Sequence, residues 1–159
     1  MRRSIIVALA CIGILFSCHK KEKTEPDKPQ PEDTRQYSYW TVNEDSFKTN
    51  DVEKVIGLGA CGLYSEGFIN KFSISFNIGR SLPKYGSFPL AKVPTQDPTF
   101  AHIGFYRNSD YYVPSPSSNS FLFASSVNNK AKYILSSTWF INYYNHNDSV
   151  LIQGVFNEP

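Results

Sequence analysis

"NKFSISFNI", residues 70–78, decides the fold. Phe72, Ile74, Phe76 and Ile78 alternate with Lys71, Ser73, Ser75 and Asn77, a period of two that an extended strand turns into one apolar and one wet face. A helix would scatter the same four apolar side chains around its circumference. The segment therefore reads as a half-buried strand, and a strand with one greasy face needs a facing layer.

Working outward, further strands are predicted over Tyr37–Asn43, Phe100–Arg107, Ser120–Ser126, Tyr133–Tyr144 and Val150–Phe156. In the longest, Tyr133, Leu135, Trp139, Ile141 and Tyr143 are expected on a single face. "NEDS" between Val42 and Phe47, "NNK" around Asn129 and "NHND" from Asn145 supply turns. No helical period runs for ten residues after residue 36, and prolines at 83, 89, 94, 98, 114 and 116 punctuate the middle. Short strands with turn signals between them predict an all-β domain over residues 36–159, an antiparallel β-sandwich. The alternative is a lipocalin-like β-barrel closed around an apolar ligand, since periodicity alone does not separate the two.

The other end of the chain carries an address. Arg2 and Arg3 precede an uncharged run from Ile5 to Phe16, and the small residue Ser17 stands before Cys18. This is the three-part layout of a secretory signal, and it is shorter than the roughly 20 apolar residues that a membrane span needs. Leu15-Phe16-Ser17-Cys18 resembles the lipobox of bacterial lipoproteins. The resemblance implies a signal peptide over residues 1–17, cleavage before Cys18, and acyl chains on that cysteine that hold the protein to a membrane. Residues 19–35, HKKEKTEPDKPQPEDTR, contain three prolines and no large apolar side chain, so 18–35 is expected to be a disordered tether. Its 17 residues from His19 would reach roughly 60 Å at about 3.3–3.6 Å each.

Charge narrows the function. The whole chain has 16 basic against 14 acidic residues, and the two arginines of the signal account for the difference. A neutral mature chain lacks the basic patch that phosphate neutralisation demands, which sets nucleic acid aside as a partner. Of three cysteines, Cys11 belongs to the signal and Cys18 to the anchor, leaving Cys61 without a disulfide partner and expected as a small buried hydrophobe.

Several motifs invite chemistry. Gly57-Leu58-Gly59-Ala60-Cys61-Gly62 matches G-x-G-x-x-G, but the following LYSEGFINKFSISF opens no helix, so the glycines read as a bulged strand or a close backbone approach. Cys61, His102, His146, Asp110 and Asp148 could be assembled into a cysteine-nucleophile set, yet no family pattern surrounds them. His102 has the opposite parity to Ile103 and Phe105 and is expected to face solvent, while His146 sits in a turn. Neither histidine has the closely spaced partners of a zinc site. No catalytic, cofactor-binding or metal-binding residue is therefore assigned. In "SDYYVPSPSSNS", residues 109–120, Tyr111 and Tyr112 offer a stacking surface for a sugar ring or a partner's side chain. The plain alternative puts one tyrosine in the core and the other over it. Asp148-Ser149-Val150 also resembles the short acceptor motif for O-glycosylation in Bacteroides-type bacteria.

The order of lipobox, charged proline-rich tether and all-β domain, with "YWTVNEDSFKT" at 39–49 and "STWFINYYNHNDSVLIQGVFNEP" at 137–159, resembles the small lipoproteins of Bacteroidota. Many of these carry a β-sandwich of uncharacterised function that closes with S-G-T-F. Gln153-Gly154-Val155-Phe156 departs from that pattern at two of four positions. The resemblance implies a lipid-anchored cell-envelope protein, at the outer membrane, and brings no catalytic residues. The expected function is a non-catalytic binding or assembly module whose partners are the membrane, through Cys18, and a glycan or envelope protein. The alternative is a small envelope hydrolase of glycans or peptides, which would need a paired carboxylate or a nucleophile with its base.

Overall fold

Asn70–Phe76 is a strand, β5, in the computed structural model, which describes residues 36–65 and 69–159. Phe72, Ile74 and Phe76 are buried and Lys71, Ser73 and Ser75 face outward, as the alternation requires. The signal peptide, Cys18 and the tether expected over residues 1–35 lie outside the described residues.

The described chain is all-β. In order, its strands are β1 Ser38–Val42, β2 Asp45–Thr49, β3 Val52–Ile56, β4 Cys61–Ser65, β5, β6 Gly86–Ala91, β7 Ala101–Arg107, β8 Asp110–Pro114, β9 Phe121–Val127, β10 Lys130–Asn142 and β11 Ser149–Asn157. Hydrogen bonding runs β2-β1-β11-β10-β9-β6-β7-β5-β4-β3, with β8 bridging β10 and β7. The path begins at β2 and ends at β3, and no ladder joins these two edges. Among the described residues the two ends of the path stay unjoined, so the strands do not form the closed lipocalin-like barrel, although β8 closes a smaller ring with β10, β9, β6 and β7. The sheet folds over on itself in a sandwich-like arrangement. β1, β11 and β10 face β4, β5 and β7, because Trp40 meets Phe72 edge-on at 5.3 Å, Phe72 meets Phe156 at 4.6 Å, and Phe105 meets Phe140 at 5.2 Å. Removing a ring such as Phe72 from this core would cost about 3–5 kcal/mol. The expected antiparallel pairing holds except at β6–β7, where Leu90 and Ala91 run parallel to Ala101 and His102.

Turn chemistry matches the sequence signals. Asn128 and Asn129 both adopt positive φ, 51° and 63°, in the two-residue turn between β9 and β10, where primed geometry suits the strand twist. Asn43 turns β1 into β2 at φ 55°, and its side-chain oxygen accepts from the Leu151 amide at 2.9 Å. At Gly154 the inner face approaches so closely that a Cβ would stand 2.7 Å from that of Trp40. Across the layers, Glu158 acts as a clamp: its carboxylate accepts from Lys54 of β3 at 2.6 Å and from the Ala131 amide of β10 at 2.7 Å.

One expectation about faces is corrected. Tyr133 and Leu135 are buried, but Trp139 and Tyr143 are exposed, and Thr138, Phe140 and Asn142 turn inward instead. The cause is a β-bulge between Leu135 and Thr138, which inserts a residue and flips the phase of everything beyond it.

Candidate functional site

The outer face of β3, β4, β5, β7 and β8 is assembled by register. Glu53, Tyr64, Ser73 and Gly104 form one row across β3, β4, β5 and β7. Lys71, Tyr106 and Tyr111 form the next across β5, β7 and β8. Because directly opposed residues share a face, these outward positions make a continuous surface whose floor is small and whose walls are aromatic. Gly104 makes this possible. A Cβ there would lie 2.5 Å from the Tyr111 ring and hydroxyl, so only glycine lets that ring lie flat on the sheet.

From Tyr111 the rings continue. Tyr106 lies 4.6 Å from it, centroid to centroid, and Tyr143 lies 6.1 Å away on the other side, followed by Tyr144 at 5.3 Å from Tyr143. The Tyr143 amide donates to the Tyr111 carbonyl at 2.7 Å, which fixes the corner where β10 ends. Lys71 places its ammonium 4.8 Å from the centre of the Tyr106 ring. Beside these rings runs a groove of about 440 Å³ walled by Glu53, Val55, Tyr64, Lys71 and Tyr106, with Ser73 on its floor. Burial, followed by the nearby tyrosines 106, 64, 143 and 144, pushes the Tyr111 phenol up to about 12. Cross-strand packing accounts for Tyr106 on Tyr111. It does not account for Tyr144, which is 78% exposed.

Tyr111 and Tyr112 divide as the plain alternative foresaw. Tyr112 belongs to the core and donates its hydroxyl to Asp148 at 2.6 Å, while Tyr111 lies on the outer face. Burial and then the bond to Asp148 push the Tyr112 phenol up to about 12. The tyrosine cluster is thus built on Tyr111 with tyrosines 64, 106, 143 and 144, which were not singled out in the sequence. Outward parity in "CGLYS" and "HIGFYR" was the available signal for Tyr64 and Tyr106.

The polar residues of the nucleophile set are employed separately. Cys61 faces the core opposite Phe76, donates to the Ser81 carbonyl at 3.2 Å, and has its thiol pushed up by burial, with Lys54 opposing. His102 lies opposite Ser75 on the outer face, so the sheet separates it from Cys61. Asp148 accepts from Tyr112 and from the Asn142 side chain, and those two bonds hold its carboxyl below the ordinary value. Asp110 is exposed at the start of β8 and His146 is exposed in the turn before β11. Gly57–Ala60 forms a tight turn, closed by the Gly57 amide on the Ala60 carbonyl at 2.8 Å, instead of a bulged strand. The close approach expected of the glycines occurs at Gly62, where a Cβ would collide with the Ile74 carbonyl. Among the described residues no group of three or more His, Cys, Asp or Glu side chains could hold a metal.

His102 corrects a second expectation. Its parity is outward as read, but it is only 8% exposed, because the loop through Pro94–Phe100 passes over it. Asp97 shapes this loop by accepting from the Thr99 amide at 2.9 Å and hydroxyl at 2.6 Å. Between loop and sheet lies a cavity of about 340 Å³ bordered by Ala60, Ser75, Asn77, Thr95, Gln96 and Phe100, with His102 at its wall. Burial lowers the His102 pKa, which favours the neutral imidazole. Among the described residues its Nε2 finds no hydrogen-bond partner, a situation that ordinarily costs about 1–3 kcal/mol.

The opposite layer presents a different surface. Tyr39, Val155, Ile134 and Phe123 form an outward row across β1, β11, β10 and β9, with Trp139 further along β10 at 52% exposure. Comparison of the chain with protein-family models, with curated proteins and with solved structures found no match.

Proposed function

We propose that this protein is a lipid-anchored, non-catalytic binding module of the cell envelope whose contact surface is the tyrosine face and whose ligand is a glycan. One observation carries the reading: the chain of rings from Tyr106 through Tyr111 and Tyr143 to Tyr144, laid on Gly104 and open to solvent. Aromatic faces present broad apolar area with a polar edge, which matches the C–H face and hydroxyl rim of a sugar ring. Ser73, Glu53 and Lys71 beside them supply hydrogen-bonding groups.

The anchor belongs to the same proposal. Cys18 at the end of the apolar run carries the acyl chains, and residues 19–35 hold the domain away from the lipid. Each buried CH₂ contributes about 0.8 kcal/mol, and more than one chain is needed for stable attachment. Replacing Cys18 with alanine is expected to abolish palmitate labelling and leave the precursor uncleaved; labelling that survives the change rules the anchor out. Exported without its anchor, the domain should keep its fold and ligand affinity but lose its action in cells. Alanine at Cys61, His146, Asp110 or Asp148, each checked for folding, should leave that action intact. If the soluble form works and one of those polar changes abolishes activity, the protein is an enzyme.

The row of Tyr39, Ile134 and Phe123 favours a second reading, an assembly module docked to an envelope protein, because contiguous exposed apolar surface marks such contacts. Phe123→Lys separates the two, since it would break assembly and leave glycan binding unchanged.

A further inference from the structure

We propose that the cavity beside His102 is a binding subsite for a neutral sugar unit, and that it continues the tyrosine face into one track for an extended neutral oligosaccharide. The extension rests on the tyrosine face being the contact surface; the cavity has its own support. Its volume of about 340 Å³ falls at the low end of small-ligand sites, roughly 300–1,000 Å³, which fits a single ring. Its polar groups are hydroxyl, amide and imidazole, from Ser75, Asn77, Thr95, Gln96 and His102, and none of the described residues lining it is charged. A phosphate, carboxylate or ammonium group entering there would shed water and meet no countercharge. A hydroxylated ring meets donors and acceptors, with the Phe100 side chain as an apolar wall.

His102 gives the second observation. The residue is more than nine-tenths buried at the cavity wall, and among the described residues Nε2 has no partner. Buried polar atoms of folded proteins are almost always paired, so this nitrogen leaves the wall short of one hydrogen bond, which a ligand hydroxyl or amide completes once the imidazole turns toward the cavity.

Register joins the two regions. His102 and Ser75 form a row, Gly104 and Ser73 lie two residues along the same strands, and Tyr106 and Lys71 lie two further. Each two-residue step advances about 6.6 Å, so the track from the His102 row to the Tyr106 row is about 13 Å long. That length takes more than one sugar ring.

The test is isothermal titration of the full chain with neutral hexasaccharides of glucose, xylose and N-acetylglucosamine, and with oligogalacturonate as the charged control. One neutral oligosaccharide should bind and oligogalacturonate should not. Gln96→Ala, at an exposed loop position where folding is not at stake, and His102→Gln should each weaken binding about tenfold, or about 1.4 kcal/mol. In long-range nitrogen–proton spectra the His102 imidazole should shift on saturation while that of His146 stays in place. If binding is weakened by Tyr106→Ala but unchanged in Gln96→Ala and His102→Gln, with the His102 signal still, the subsite is refuted and the tyrosine face stands. If the pocket variants weaken binding and Tyr106→Ala does not, the subsite holds and the tyrosine face falls. No binding by any neutral oligosaccharide, or equal binding of oligogalacturonate, overturns the subsite.

Discussion

A methyl group placed on Gly104 should displace Tyr111 and reverse its effect when that ring is absent. The ideal Cβ falls 2.5 Å from Cε2 and from the hydroxyl oxygen of Tyr111, and 2.8 Å from Cζ. Carbon contacts prefer about 3.5–4.0 Å, so the ring must withdraw by about 1 Å. Overpacking inside a closed core costs about 1–3 kcal/mol, and a ring on an outer face can tilt away, which puts this case near the low end. Lost stacking on Tyr106 adds about 0.5–1.5 kcal/mol. Against this, glycine to alanine at unobstructed extended backbone stabilises by about 0.4–1 kcal/mol. Gly104→Ala alone should therefore destabilise by about 1 kcal/mol, and the same change made on Tyr111→Ala should stabilise by about 0.5 kcal/mol. The coupling between the two sites is then about 1.5 kcal/mol. Urea unfolding of the four forms of the full chain, followed by tryptophan fluorescence, measures it. A titration adds an independent reading. Tyr111 is held at about 12 against an ordinary 10, chiefly by burial, so its contribution to stability is complete below pH 10 and is lost as pH rises toward 12. Tilting the ring into water should lower its titration and shrink that alkaline loss. A coupling below about 0.3 kcal/mol would mean that Tyr111 does not rest on Gly104.

Two further outcomes follow from the fold. Glu158→Gln should cost about 1.5–3 kcal/mol at neutral pH by weakening charge-assisted bonds to Lys54 and the Ala131 amide, measured by the shift in urea midpoint. Burial alone would raise the Glu158 pKa, but those bonds and the Lys54 charge lower it overall, so its stabilisation is present above the ordinary 4.5 and lost as pH falls through the folded value. The glutamine variant should lack that acid-dependent part, and an unchanged pH profile would deny the clamp. Residues 36–159 alone should give a circular dichroism spectrum of strand without helix and a cooperative melt; a helical spectrum would overturn the period reading of residues 70–78.

Six strands were legible in the sequence because their side chains alternate or cluster around turn residues, as in Phe72–Ile74–Phe76 and the Asn128–Asn129 turn. β2, β3 and β4 were hidden for different reasons: Asp45–Thr49 and Val52–Ile56 are short and largely exposed at the edges, and in "CGLYS" a glycine interrupts the alternation. Pro89 and Pro114 masked β6 and β8, which are the strands that bridge the two layers. The bulge after Leu135 could not be foreseen, because Ser136 and Ser137 fit either phase and only the pairing with β11 selects one. At the site, Tyr111 was legible as an aromatic beside a loop, but its neighbours come from β4, β7 and the end of β10, and their convergence is a property of register. His102 was read correctly for parity and wrongly for exposure, since alternation says which face a residue takes and nothing about a loop laid over that face.

Retention of neutral polysaccharide by membranes carrying the full chain tests the central claim most directly. Equal amounts of anchored wild type, Tyr106→Ala and Tyr144→Ala would be compared in membranes from cells that export them, with membranes from cells lacking the protein as the control. Wild-type membranes should hold the polysaccharide, both tyrosine variants should lose most of it at unchanged protein level, and the control membranes should hold none. Full retention by the tyrosine variants would contradict the account, because the anchored protein would then be gripping its ligand somewhere other than the tyrosine face.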